Sequence, residues 1–139
     1  MNPRLPFDPP GPELIAADVA RAFAEDLGNG DATAELLPAD AVAEAALTCR
    51  DDAVIAGAPW FDACFRRLDP AVCIDWAVGD GARVAPGTVI CRLSGHARSL
   101  VSAERSALNF LQLLSGTATA TATYVAAVAG TRARVLDTR

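Results

Sequence analysis

The chain has no lysine: all 12 of its basic residues are arginine. That absence removes Schiff-base catalysis, a P-loop lysine and the attachment of biotin or lipoate, each of which needs a primary amine. Arginine together with abundant alanine is what GC-rich coding favours, so composition alone accounts for the bias. Histidine is nearly absent too, with His96 alone. The four cysteines at 49, 64, 73 and 91 have no C-x-x-C spacing, so no zinc site can be assembled from them and one histidine. No apolar run approaches the ~20 residues of a membrane span. The start, MNPRLPFDPPGPEL, has prolines at 3, 6, 9, 10 and 12 and no hydrophobic segment, which excludes a signal or transit peptide and reads as a stiff extended arm over residues 1–12. Basic runs are missing, and the net charge is −5, which argues against nucleic-acid or anionic-membrane binding. A local cationic pocket for an anionic small molecule is still allowed. A cytoplasmic protein with reduced thiols is expected. Cys49, Cys73 and Cys91 lie in strand-like runs and read as small core residues.

What is present is a soluble globular composition, 52% hydrophobic and 21% charged over 139 residues, enough for one domain with a real core. Residues 13–27 space Leu14, Ile15, Val19, Ala22 and Phe23 as a helix that Gly28 stops. A turn-rich loop spans 28–38. Residues 42–57 read as two strands joined at a tight polar turn, Arg50-Asp51-Asp52. Trp60, Phe61, Cys64, Phe65 and Leu68 make a helical stripe over 58–69. Residues 71–78 are strand-like, and 79–95 predict a glycine-rich turn followed by a strand. A helix is predicted over 99–115. The alternating threonines and alanines of 116–130 have strand period, but small side chains and a terminal Gly130 favour a closely packed helix. Residues 132–139 read as a short strand. The expected class is α+β, with antiparallel strands and packed helices.

The helix SAERSALNFLQLLSG (102–116) is the most informative segment. On a 100° wheel Ala103, Ala107, Phe110, Leu111 and Leu114 share one face. Ser102, Arg105, Ser106, Asn109 and Gln112 take the opposite one, with Leu108 and Leu113 outside the apolar face. Glu104, in the first turn, suits the positive end of the helix dipole. Arg105 is thus kept off the core, on a polar stripe that suits a partner surface or a pocket wall. Other polar residues carry plainer readings. His96 is a turn histidine between strand and helix, and Asp51-Asp52 is a solvated turn. Asp26, Gly30 and Asp31 are loop structure, and Arg132 and Arg134 are surface charge. GDGARVAPGTVICRLSG is similar to half of a biotinyl or lipoyl domain, but without a lysine it can carry no prosthetic group.

DDAVIAG, GDGARVAPGTVICRLSG, SAERSALNFLQLLSGTATAT and RVLDTR occur in an order that resembles quinolinate phosphoribosyltransferase, also called nicotinate-nucleotide pyrophosphorylase (carboxylating). Glu104, Arg105, Ala107, Leu108, Asn109, Leu111 and Gln112 form the most specific match, and Asp137-Thr138-Arg139 resembles the start of a D-T-R-K-T motif. The resemblance implies a hammerhead-type α/β domain over 13–130, then the first strand of an α/β barrel at 131–139, with the rest of the barrel outside this sequence. It implies transfer of phosphoribose from phosphoribosyl pyrophosphate to quinolinate with decarboxylation, giving nicotinate mononucleotide, pyrophosphate and CO2 in NAD biosynthesis. It also implies magnesium (Mg2+) with ligands outside this stretch, and a homodimer with shared active sites. Arg105 would serve the neighbouring subunit's site, and Thr138 and Arg139 their own. The stretch alone is expected to be inactive. The alternatives are a paralogous phosphoribosyltransferase-like protein with another substrate and a non-catalytic dimerisation module. A Lys-Thr pair directly after Arg139 would favour the enzyme.

Overall fold

Proline at the first turn starts helix α1, Pro12–Asp26, whose Ile15, Val19 and Phe23 point inward. A computed structural model describes residues 10–137 of the chain, so the proline-rich arm before Pro10 lies outside the described residues. The loop after α1 holds a short helix, α2, Ala32–Glu35, because the Asp31 carboxylate accepts the N–H groups of Thr33 and Ala34. There follow β1 (Val42–Thr48), β2 (Ala53–Val54), α3 (Ala58–Leu68), β3 (Cys73–Trp76), β4 (Arg83–Val84), β5 (Val89–His96) and α4 (Ala97–Ala127). The α+β class expected from the sequence holds.

One sheet has the order β1-β5-β3 and is antiparallel throughout; β2 and β4 form a second, two-stranded ladder. The expected hairpin between the two strands of 42–57 is therefore not formed. Cys49 N–H donates to Thr88 O and Gly87 N–H donates to Cys49 O, so β1 runs on along the approach to β5. The exposed Arg50-Asp51-Asp52 turn then carries the chain to the other ladder.

Strand alternation sorts the cysteines. In β3, Ile74 and Trp76 pack on the core, which turns Cys73 outward; it is exposed, against the expectation that it is a core residue. Cys91 and Cys64 are fully buried, and Cys49 is half-buried. The core joins Val19 and Phe23 of α1, Phe61 and Phe65 of α3, Leu93 of β5, and Ala103, Ala107 and Leu111 of α4. The alanines let α4 approach its neighbours closely.

Helix α4 is one continuous helix of 31 residues. Its Thr/Ala alternation is accommodated by hydroxyls that turn back on the helix: Thr117, Thr119, Thr121 and Thr123 each donate to the carbonyl four residues earlier. Beyond it, residues 131–137 pair with no strand among the described residues. A ladder needs a neighbour, and neither sheet reaches this segment.

Candidate functional site

The polar stripe of α4 stands where the wheel puts it, apart from one residue. Arg105, Asn109 and Gln112 are exposed, while Ala103, Ala107 and Leu111 are buried. Ser106, expected on the polar face, is buried instead. Its side chain is small enough to sit where α1 crosses, and its hydroxyl lies 3.5 Å from Asp26 Oδ2. Leu108 packs partly against the core, and Leu113 stays 73% exposed.

The stripe forms one wall of a groove of about 520 Å3 whose other wall is the end of α1 and the α2 loop. Two carboxylates cross it. Asp31 Oδ2 accepts the Ser102 hydroxyl at 2.7 Å, and Oδ1 accepts the backbone N–H groups of Thr33 and Ala34 at 3.0 and 3.1 Å. The Ser102 hydrogen bond and then the Ala34 N–H hold the Asp31 carboxyl below the usual carboxylate range. Asp26 Oδ1 lies 3.3 Å from Arg105 Nη1. The Arg105 side chain is 77% exposed and that of Asp26 20%, so the acid is the seated partner and the guanidinium reaches out over the groove.

Sequence reasoning placed Asp26 and Asp31 in loop structure and missed this pairing. A signal was available. Arg105 has Val101 and Asn109 at the i−4 and i+4 positions, and no acid one turn away on its own helix. Any fixed partner had to come from another element.

A larger groove, about 970 Å3, runs along another side of α4 beside the Cys49–Ala53 turn. Two of its hydroxyls are committed: Ser115 Oγ accepts Ala56 N–H at 3.0 Å, and Thr119 Oγ1 accepts Val54 N–H at 2.9 Å. These bonds seat β2 on the helix. Elsewhere, His96 Nδ1 lies 2.8 Å from Asp69 Oδ2 at the junction of β5 and α4. Asp51, Asp52, Arg132 and Arg134 are exposed, as expected. Thr138 and Arg139 lie outside the described residues. Among the described residues no group of three or more His, Cys, Asp or Glu side chains converges as metal ligands, so no protein cage for magnesium is found there. No described helix is long and apolar enough to cross a membrane.

The chain is similar to known proteins over most of its length. A family model described as quinolinate phosphoribosyl transferase, N-terminal domain, matches residues 31–115. The chain is 36% identical over 140 residues to a chloroplastic nicotinate-nucleotide pyrophosphorylase (carboxylating) of rice, covering 98% of this chain and 37% of that protein. It is 38% identical over 117 residues to a probable nicotinate-nucleotide pyrophosphorylase (carboxylating) of Synechocystis, covering 84% and 40%. The solved nicotinate-nucleotide pyrophosphorylase of Francisella tularensis superposes with a TM-score of 0.90 at 33% identity, covering 94% of this chain and 47% of that one. This chain therefore spans under half the length of these relatives.

Proposed function

The chain belongs to the quinolinate phosphoribosyltransferase family, and from that premise we propose that the protein containing it transfers phosphoribose from phosphoribosyl pyrophosphate to quinolinate. Decarboxylation accompanies the transfer, and the products are nicotinate mononucleotide, pyrophosphate and CO2. The observation that carries the reading is Arg105: a lone, exposed arginine on a polar helix stripe, inside the residues that match the family model.

Quinolinate has two carboxylates, and a guanidinium binds a carboxylate through two parallel N–H···O bonds. Arg105 contacts Asp26 through Nη1, so the Nε/Nη2 edge of the fork is open to a second carboxylate. An arginine this exposed gains little from an ion pair in water. A second surface must cover the groove and exclude solvent before the pair can hold a substrate firmly. We assign that surface to the neighbouring subunit of a homodimer, whose barrel-type domain would receive Arg105. Thr138 and Arg139 would hold the acid within the site of their own subunit. Two arginines from different subunits would then fix the dicarboxylate against the ribosyl carbon, and such positioning lowers a barrier by several kcal/mol, on the order of 7–11 in ideal cases. Magnesium, when bound with the phosphates, would neutralise the pyrophosphate leaving group. Residues 131–139 are assigned to the first strand of the barrel, and four free thiols support a reducing, cytoplasmic compartment.

The test is complementation in the full-length protein. Arg105→Ala subunits alone should turn over quinolinate only weakly, at a much raised KM, and subunits inactivated in the barrel should be inactive alone. Mixed in equal amounts they should recover about a quarter of wild-type activity, because half of randomly formed dimers hold one intact shared site of two. No recovery would sink the shared site. The 139-residue chain by itself should release no product from quinolinate and phosphoribosyl pyrophosphate.

A further inference from the structure

We infer that Asp26 is a positioning residue for Arg105, setting the affinity of the site for its dicarboxylate substrate without touching it. The inference rests on the reading above, in which Arg105 binds a substrate carboxylate.

Asp26 is the last residue of α1, and the last turn of that helix contains no basic residue. A carboxylate there faces the negative end of the helix dipole, which disfavours it. Helix α1 gains nothing from an acid at this place, so the compensation lies outside the helix. It comes from α4: Arg105 Nη1 at 3.3 Å from Oδ1, with the Ser106 hydroxyl at 3.5 Å from Oδ2. The carboxylate is thus lodged at the crossing of two helices, where its own freedom is small.

Asp31, the other acid across the groove, also feels the Arg105 charge, but it makes no ion-pair contact with the guanidinium. Its two oxygens are taken by Ser102 and by the two N–H groups it caps. Asp26 is the acid in contact with the guanidinium. The contact uses Nη1 and spares the Nε/Nη2 edge, so once the neighbouring subunit covers the groove it restricts the long side chain without blocking the fork. An arginine loses much rotamer freedom when it is immobilised, and a prior contact removes that cost from the binding step. Against this stands repulsion between Asp26 and the incoming acid. That repulsion acts across the width of the guanidinium, whose positive charge lies between the two carboxylates, so it is the weaker effect.

The experiment measures steady-state kinetics of the full-length enzyme for Asp26→Asn, Asp26→Glu, Arg105→Ala and the Asp26→Asn/Arg105→Ala pair. Asp26→Asn should raise KM for quinolinate about tenfold, leaving kcat and the KM for phosphoribosyl pyrophosphate within about twofold. Asp26→Glu should restore most of the loss. In the Arg105→Ala background, Asp26→Asn should add nothing further. A lowered quinolinate KM in Asp26→Asn would overturn the inference in favour of charge competition. An equal loss with and without Arg105 would overturn it in favour of a general structural role. If Arg105→Ala itself leaves quinolinate KM unchanged, the substrate reading fails first, and the positioning role fails with it.

Discussion

Cys64 and Cys91 are sealed in the core, and burial pushes their thiols up to about 12 and about 11; nearby Asp62 adds to the rise at Cys91. The thiolate is the nucleophile, so these two are chemically silent in the folded protein. Cys73, turned outward by strand alternation, is accessible. Iodoacetamide at pH 8 should therefore alkylate Cys73 at least about a hundredfold faster than Cys64 or Cys91, which should react only on unfolding. Peptide mass spectrometry over time checks this. Similar rates at all four would mean the core is open. Arg105 gives the contrasting case. It is largely solvated and its ion pair is surface-exposed. Arg105→Ala should shift Tm by no more than about 3 °C, since substitutions of this kind stay near ±0.5 kcal/mol. Early melting would make the arginine structural. That Arg105 avoids the core was legible from the wheel; that Ser106 does not was illegible, because the wheel knows nothing of a crossing helix.

At the scale of elements, the start of α3 depends on residues far from it in sequence. Gly57 caps the helix with φ +110°, and a Cβ built there would lie 2.9 Å from Leu114 Cδ1 and 3.3 Å from Leu114 Cβ. The Asp80 carboxylate accepts the Gly57 and Ala58 N–H groups at 3.1 and 3.0 Å, supplying the cap that glycine lacks. Gly57→Ala should cost about 1–3 kcal/mol from backbone strain, with a further loss where Leu114 must move. Asp80→Ala should cost about 1 kcal/mol by removing the cap. Urea titrations check both, and a Gly57→Ala protein as stable as the parent would refute the packing. The helix over 58–69 reads from sequence. The identity of its cap does not, because an Asp in a glycine-rich turn reads equally well as a turn former. The expected β1–β2 hairpin fails for a related reason. Arg50-Asp51-Asp52 does make a polar turn, but turn chemistry alone does not say whether the next strand comes back to the same sheet.

For the molecule as a whole, acid is the informative perturbant. Asp18, Asp31 and Asp69 all have carboxyls held below the usual range: Asp18 chiefly by the Trp60 indole N–H and then Arg21, Asp31 by Ser102, Asp69 by His96 and then the Ala71 N–H. Each bond joins different elements: α1 to α3, α2 to α4, and the end of α3 to the end of β5. A carboxylate whose folded pKa is depressed stabilises the fold above its unfolded pKa, and that contribution fades as pH falls through the folded value. Asp62 has the opposite sign, because burial raises it, so its protonation partly offsets the loss. With three groups against one, the urea midpoint should be flat near neutrality and fall as pH drops below about 4. Asp31→Asn should flatten that acid limb, and an unchanged limb would show that the α2–α4 seam is not linked to protons. By itself, the sequence determined the types of the longer elements, the exclusion of Arg105 from the core and the family. These follow from side-chain period and local motif, which neighbours along the chain already contain. Only the tertiary structure decided which acid meets Arg105, which ladder β2 joins and which way Cys73 faces. Ser102 and Asp31 are 71 residues apart, and their meeting depends on how two helices and a loop pack, a relation that no local pattern encodes.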